Sequence, residues 1–455
     1  MAWGDLMSNN ILNYVKKVPG LLKLLVSPYQ VGFVQGHSHL TNQQVLQIQQ
    51  VLHSSNNQNI VNNYEQRMSG LIGGGYGISF AAGRMAFYSL LKTLNIGEGD
   101  EVILPGFTCS VMPNAIWRTG ATPIFADIDA ETFGSDAKGI KKKITPRTKM
   151  VVAQHSFGIP CNIAEIVELC DEHSIFLMED CAITLDSSIN GVKVGNWGDA
   201  AIFSTDHTKP LNTIIGGFLY TKNKSLYDKV RNFSDKLPQL DQKHQERLYK
   251  QFKFERKYNT PSRYPRAIFI DNVRAAVRMV SFKLHPYTFL EGDYTKEASS
   301  NLSYPYPAKM PPFLAQLGLF ELDLWENEKN RRIKLFDMYL SNMTQLNFDK
   351  YLPSAYFNPK IDIVSLRFVF QHPDSERIIK KMSQFIDVNG IWFRKPIICC
   401  SDGPESLGYP TGSCQMAEKT GHTIINWPCV IPENWESRII EIFQMVMNDE
   451  ISSIS

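Results

Sequence analysis

Between residues 84 and 222 the sequence alternates short apolar runs, bounded by turn residues, with segments whose apolar residues recur at helical spacing. No other feature restricts the fold as much. Arg84 to Leu94 (RMAFYSLLKTL) has helical periodicity, GEGD turns the chain, and EVILPGF is a strand-like run. A helix through Met112 to Arg118 follows, then a strand at Thr122 to Ile128, a helix near Asp136 to Lys143 and a strand at Lys149 to His155. Asn162 to His173 reads as helix, while Ile175 to Glu179 and Ala200 to Ser204 read as strands. Strands alternating with helices in this way require crossover connections, hence an α/β fold with a mostly parallel sheet covered on both faces. In such sheets ligands gather at the carboxyl ends of the strands. Thr108, His155, Asp180 and Ser204 all fall at those ends.

The alternation stops after residue 234, and the spacing divides the chain into four parts: an N-terminal extension (1–60), a large domain (61–234), a largely helical insertion rich in Lys, Arg and aromatics (235–300), and a connecting helix with a smaller α/β domain (301–455). The helix is expected from Pro311 through FLAQLGLFELDLWENEKNRRIKLFDMYL, with a strand in SLRFVF and a helix in SERIIKKMSQFI beyond it. A chain of 455 residues, 43% of them apolar, buries a substantial core. Its formal charge of +2 leaves no footprint for nucleic acid. Eight cysteines without CxxC spacing and no leader-like apolar stretch imply a reducing cytoplasm. No apolar run is long enough to span a bilayer. The stretch Ile11 to Val26, with three lysines among aliphatics, is a candidate for peripheral membrane contact, although packing within the protein or against a dimer partner is the plainer reading. The cluster GGGYG at Gly73 precedes no clear strand–turn–helix unit with GxGxxG spacing, which argues against a dinucleotide fold.

Asp180, in IFLMEDCA, closes an apolar strand, where a carboxylate calls for a cation; taken alone it could equally cap a helix or pair with an arginine. Lys209, in FSTDHTKPLNTIIGG, sits in a loop beyond the next strand, and a partly desolvated lysine can form a Schiff base with an aldehyde. Gly83 and Arg84 open a helix, presenting backbone N–H groups and a guanidinium to an anion, and Ser204 adds a hydroxyl. Singly these are ordinary residues. Together they match pyridoxal 5'-phosphate: a lysine for the imine, an aspartate for the ring cation, a helix start and serine for the phosphate.

The segments GRMAFYSLLKTLNIGEGDEVILPGFTCSVMPNAI, GATPIFADID, ITPRTKMVVAQHSFGIPCN, FLMEDCA, VGNWGDAAIFS and KPLNTIIGG resemble the DegT/DnrJ/EryC1/StrS aminotransferases, the sugar aminotransferases of pyridoxal-phosphate fold type I. MPPFLAQLGLFEL, NGIWFRKP and NWPCVIPEN are similar more loosely. The resemblance implies that Lys209 is the Schiff-base lysine, that Asp180 faces the pyridine nitrogen, that Gly83, Arg84 and Ser204 bind the phosphate, and that His155 lies near the ring face. It further implies a homodimer that moves an amino group, with glutamate the expected donor, to a keto group of a nucleotide-linked sugar. Three positions depart from the family pattern: Cys109 where many members place an aromatic ring, Ile183 where many have glutamine, and Pro307 and Lys309 where an asparagine and arginine often enter the neighbouring subunit's site. Two alternatives stay open. Relatives that dehydrate sugars carry histidine in place of the lysine, and His207 lies two residues before Lys209; the six-residue spacing from Phe203 favours the lysine. A regulatory paralogue that keeps the fold and has lost turnover is the other. The basic, aromatic stretch from Lys250 to Arg266 is a candidate contact for a nucleotide diphosphate or dimer partner, with a solvated helical face the plainer reading.

Overall fold

The computed structural model describes residues 26–54, 57–280, 304–400 and 402–451. Helices α1 (Asn42–Leu52) and α2 (Gln58–Ile72) lead into β1 (Tyr76–Phe80) and α3 (Gly83–Thr93). The alternation continues through β2 (Glu101–Pro105), β3 (Thr108–Cys109), α4 (Val111–Trp117), β4 (Thr122–Ala126), α5 (Ala137–Lys141), β5 (Thr148–Gln154), α6 (Ile163–His173) and β6 (Phe176–Asp180). Short strands β7 (Ser188–Ile189) and β8 (Val192–Lys193) precede β9 (Ala200–Ser204), β10 (Gly217–Thr221) and α7 (Lys224–Ser234). Then come α8 (Gln242–Tyr258), α9 (Tyr264–Val280), the long α10 (Pro312–Gln345), β11 (Ile361–Asp362), β12 (Arg367–Gln371), α11 (Ser375–Met382), β13 (Ile397–Ile398), α12 (Gln415–Thr423), β14 (Ile424–Pro428) and α13 (Glu436–Ile451).

The central sheet has seven strands in the order β1-β10-β9-β6-β5-β2-β4. From β9 to β4 every pairing is parallel, while β10 runs antiparallel to both its neighbours. Its core shows why the strands read as continuous apolar runs. Val102, Leu104, Met150, Val152 and Met178 pack into one buried cluster with Met85, Phe87 and Leu90 of α3. Ile103, Val151, Ala153 and Leu177, the alternate residues, pack into a second with Ile163, Ile166 and Leu169 of α6. Period-2 alternation therefore sends side chains to two dry faces, and neither face needs polar residues.

Two strands go beyond the sequence expectation. β10 begins at the second of two glycines, Gly217, and β1 begins inside GGGYG, at Tyr76, leading through Ala81 and Ala82 into α3. A strand–turn–helix unit thus stands at that glycine cluster, without the GxGxxG spacing of a dinucleotide fold. Gly73, Gly74 and Gly75 precede the strand, Gly77 lies within it, and the strand-to-helix turn itself is Ala81-Ala82, so the turn lacks glycine. At Gly217 glycine is obligatory: a Cβ there would lie 2.2 Å from the Ala82 carbonyl carbon and 2.3 Å from the Gly83 nitrogen. This close approach seats the start of α3 on the end of the sheet.

The expected insertion is helical over α8 and α9, and its residues 281–303 lie outside the described residues. Ile11–Val26 does too, save Val26 itself. Among the described residues no helix is long and apolar enough to cross a membrane. β12 and β14 form an antiparallel pair in the C-terminal region, and β13 runs parallel to β3, bringing Ile398 beside Cys109. The segment expected as an extension is tied into the body: Val31 bridges to Ile386, and the Gln30 N–H donates to the Pro261 carbonyl.

Candidate active site

β6 ends with two acids, and the structure separates their roles. Glu179, fully buried, accepts four hydrogen bonds: from His155 Nε2 at 3.0 Å and Gly195 N at 2.7 Å on one oxygen, from Trp197 N at 2.7 Å and Gly198 N at 2.8 Å on the other. Its lone pairs are spent on the fold. Asp180, 4% exposed, accepts from Ala182 N at 2.9 Å. Burial pushes its carboxyl above the usual range, and the Ala182 N–H and the charge of Lys209 pull the other way. An acid so placed retains capacity for a cation.

His155 lies buried just past β5, its N–H bonded to the Asp180 carbonyl at 3.0 Å. The Cys161 N–H donates to Nδ1 at 3.1 Å, which leaves the ring proton on Nε2, facing Glu179. Both ring nitrogens are therefore engaged by protein. His155 can offer a ligand its ring and no lone pair.

Lys209 is held by a tightly determined loop. Its N–H donates to the Asp206 carbonyl at 2.9 Å, Thr208 N and Oγ1 donate to Asp206 Oδ1, and His207 N donates to the Ile214 carbonyl at 3.2 Å. Ile214, completely buried, has φ of +70°, a conformation that costs a β-branched residue about 1–3 kcal/mol and persists only where its surroundings enforce it. Asn212 Oδ1 accepts the Ile214 N–H at 2.8 Å. The half-buried Lys209 ammonium lies 4.4 Å from the centroid of the Trp392 ring.

The other sequence candidates converge on the same end of the sheet. A Cβ on Gly83 would lie 3.4 Å from Ser204 Cβ and 3.7 Å from its hydroxyl oxygen, so the α3 N-terminus and Ser204 face each other across one gap. The N-cap of α3 is Ala82, which supplies no side-chain cap to its first N–H groups. Arg84 is buried and donates from Nη2 to the Tyr304 hydroxyl at 3.1 Å. Cys109 completes the set. A hydrogen bond from the Cys399 thiol holds its own thiol down to about 6 against burial, aided by the Val111 N–H, Lys209 and Arg84.

These donors fit pyridoxal phosphate: an uncapped helix start and a serine hydroxyl for the phosphate, a buried acid short of a cation, and a lysine within the electrostatic reach of that acid. Of the departures, Ile183 is buried and offers no hydrogen bond, and Lys309 Nζ donates to the Asp235 carbonyl at 2.8 Å.

Sequence reasoning missed residues that reach the site from distant parts of the chain. Phe33, His39, Trp325 and Arg332 line one small cavity with Lys209 and with His207, which the sequence offers only as an alternative to the lysine. His207 Nδ1 lies 3.2 Å from Oε1 of the buried Glu255 on α8. His37 Nδ1 and His39 Nε2 both bond Glu321 Oε1, at 2.9 and 3.0 Å. The pattern GHSH was the available signal for the histidines; Glu255 and Arg332 carried none.

Residues 38–257 match the model of the DegT/DnrJ/EryC1/StrS aminotransferase family. That stretch, a little under half of the chain, is similar to the family. Among curated proteins, GDP-perosamine synthase of Escherichia coli O157:H7 is 41% identical over 158 residues, 35% of this chain and 43% of that protein. UDP-N-acetyl-3-dehydro-alpha-D-glucosamine 3-aminotransferase of Acidithiobacillus ferrooxidans is 38% identical over 168 residues, 37% and 46% of the two chains. The matched region thus spans a little under half the length of these relatives. Solved structures extend the likeness over the whole fold: an aminotransferase of Psychrobacter cryohalolentis at TM-score 0.67 and 18% identity, covering 90% of this chain and 98% of that one, and Spr1654 of Streptococcus pneumoniae in its PLP form at 0.66 and 20%, covering 92% and 99%. The α/β architecture with a mostly parallel central sheet is the one these proteins share.

Proposed function

We propose that the protein is a pyridoxal-phosphate-dependent aminotransferase that moves an amino group, from glutamate, to a keto group of a nucleotide-linked sugar, working as a homodimer. The observation that carries this reading is the meeting of Lys209, Asp180 and the Gly83–Ser204 gap at the carboxyl end of one sheet, inside the segment that matches the family model. Relatives named for nucleotide-sugar amination support the substrate class. Glutamate and the dimer rest on the family resemblance.

Pyridoxal phosphate, when bound, supplies an electron-withdrawing ring that stabilises negative charge on the carbon next to the transferred nitrogen. The protein supplies everything around it. The α3 N-terminus and the Ser204 hydroxyl bind the phosphate, with Arg84 behind them. Asp180 holds a proton on the ring nitrogen, and the same contact relieves the cost of its burial. Lys209 would hold the cofactor's aldehyde through Nζ, and the same Nζ, when free, would be the base that moves a proton at the reacting carbon. Trp392 covers Nζ on one side and limits water there. Glu179 and His155 fix the end of β6, so that Asp180 is presented in one orientation.

His207 fits the dehydratase alternative poorly, because its imidazole is bonded to Glu255 while Lys209 is the group that acts on Asp180 and Cys109. The test is a panel of keto-sugar nucleotides with glutamate. Stoichiometric 2-oxoglutarate and an amino sugar are expected; loss of water from the sugar with no nitrogen gained would overturn the assignment.

A further inference from the structure

Arg332, on α10, is 2% exposed and lines the cavity that Lys209 lines. Its Nη2 donates to the carbonyl of Pro210, the residue next to Lys209, at 2.7 Å, and its guanidinium carbon lies 4.9 Å from the Trp325 ring centroid. Nε and Nη1 are buried without a hydrogen-bond partner. The carboxylates nearby are engaged elsewhere: Glu328 with Arg331 at 2.8 Å, Glu321 with His37 and His39. Burial presses the guanidinium below its ordinary range, with Glu328, the Cys429 thiol and Glu321 opposing it and Arg331 adding to it. His39 and His207 complete the titratable groups on the cavity wall. A buried guanidinium without a counter-ion is costly, and is kept where a ligand answers it.

Building on the function proposed above, we propose that Arg332 binds the carboxylate of the amino donor. In an amino acid the carboxylate is attached directly to the carbon that bears the transferred nitrogen. A receptor for it must therefore lie within a side chain's length of the reactive lysine, and Arg332 is tethered to the residue adjoining that lysine. The diphosphate of a sugar nucleotide is separated from the keto carbon by the breadth of a sugar ring, which places its receptor further off. The arginine presents free donors on two nitrogens, the chemistry that carboxylates take.

The experiment uses the holoenzyme and the variants Arg332→Gln and Arg332→Lys. Three readouts are compared: the borohydride-stabilised pyridoxyl adduct on Lys209, calorimetric binding of 2-oxoglutarate, and the two half-reactions followed separately by absorbance. The expectation is an intact adduct, an unchanged half-saturation for the sugar nucleotide, and an increase of about tenfold to a hundredfold in that for glutamate and in the 2-oxoglutarate Kd for Arg332→Gln, partly restored in Arg332→Lys. With the adduct intact, equal 2-oxoglutarate binding by wild type and Arg332→Gln overturns the proposal. So does a rise confined to the sugar nucleotide, which would assign Arg332 to the diphosphate, or an equal fall of both half-reactions, which would make it purely structural. Absence of the adduct from the wild type would instead overturn the cofactor reading on which this one stands.

Discussion

Replacing Gly217 with alanine should dislodge the start of α3 from the sheet. The new methyl group would stand 2.2 Å from the Ala82 carbonyl carbon, 2.3 Å from its oxygen and 2.3 Å from the Gly83 nitrogen. Ordinary carbon contacts are about 3.5–4.0 Å, so backbone must retreat by more than an ångström. Gly217 is itself fixed by pairing with Ser204 on one side and Phe80 on the other. Overpacking usually costs about 1–3 kcal/mol, and with backbone on both sides the cost belongs at about 3 kcal/mol. The retreat also widens the gap between Gly83 and Ser204 and weakens pyridoxal phosphate binding by about tenfold, the worth of one well-placed helix N-terminus. Gly70→Ala is the control. Gly70 lies in α2 with nothing within 4 Å of its added Cβ, so alanine there should stabilise by about 0.5–1 kcal/mol. The assays are thermal unfolding without cofactor and an absorbance titration with pyridoxal phosphate. A Gly217→Ala protein with wild-type melting and cofactor affinity would refute the account of how the sheet seats this helix.

Glu179→Ala leaves four donors, two of them fully buried, without their acceptor and should destabilise by about 3–5 kcal/mol in denaturant unfolding, whereas a loss below 1 kcal/mol would show that Glu179 is not structural. Although burial pushes Glu321 up, the hydrogen bonds from His37 and His39 hold its carboxyl down to about 2. Its folded value lies below the unfolded value of about 4.3, so its stabilisation is full above pH about 4.3 and is lost as pH falls toward 2; Glu321→Gln should flatten acid unfolding in that window and leave it unchanged if the pair contributes nothing. Cys109 should be alkylated by iodoacetamide in the cofactor-free protein with a pH midpoint near 6, moving upward in Lys209→Ala; a midpoint near the ordinary thiol value of about 8.5 would contradict the arrangement of Cys399, Lys209 and Arg84 around it.

The interior of the sheet was legible in the sequence because both its faces are dry. β2, β4, β5, β6 and β9 are each built on a short apolar run, and each was placed within about two residues. β1 and β10 were not, because glycines that serve close backbone approach also mimic loop punctuation. Lys209 and Asp180 were visible as charges at positions where a strand end should open on a pocket. The division of labour between Glu179 and Asp180 was not, because two adjacent acids differ only in which face of the strand they meet. Arg332 reads as one of two neighbouring arginines on a helix face, and only the fold shows that Arg331 pairs with Glu328 and Glu436 while Arg332 turns inward beside Pro210. His39 and Glu255 come from an apparent extension and an apparent insertion, and helical or turn periodicity carries no information about which strand end such segments reach.

The most direct test is borohydride reduction of the protein loaded with pyridoxal phosphate, followed by peptide mapping. A single pyridoxyl group on Lys209 is expected, present in Asp180→Asn and missing from Lys209→Ala. Label on another lysine, or none while the cofactor stays bound, would contradict the assignment of Lys209 as the residue that joins it.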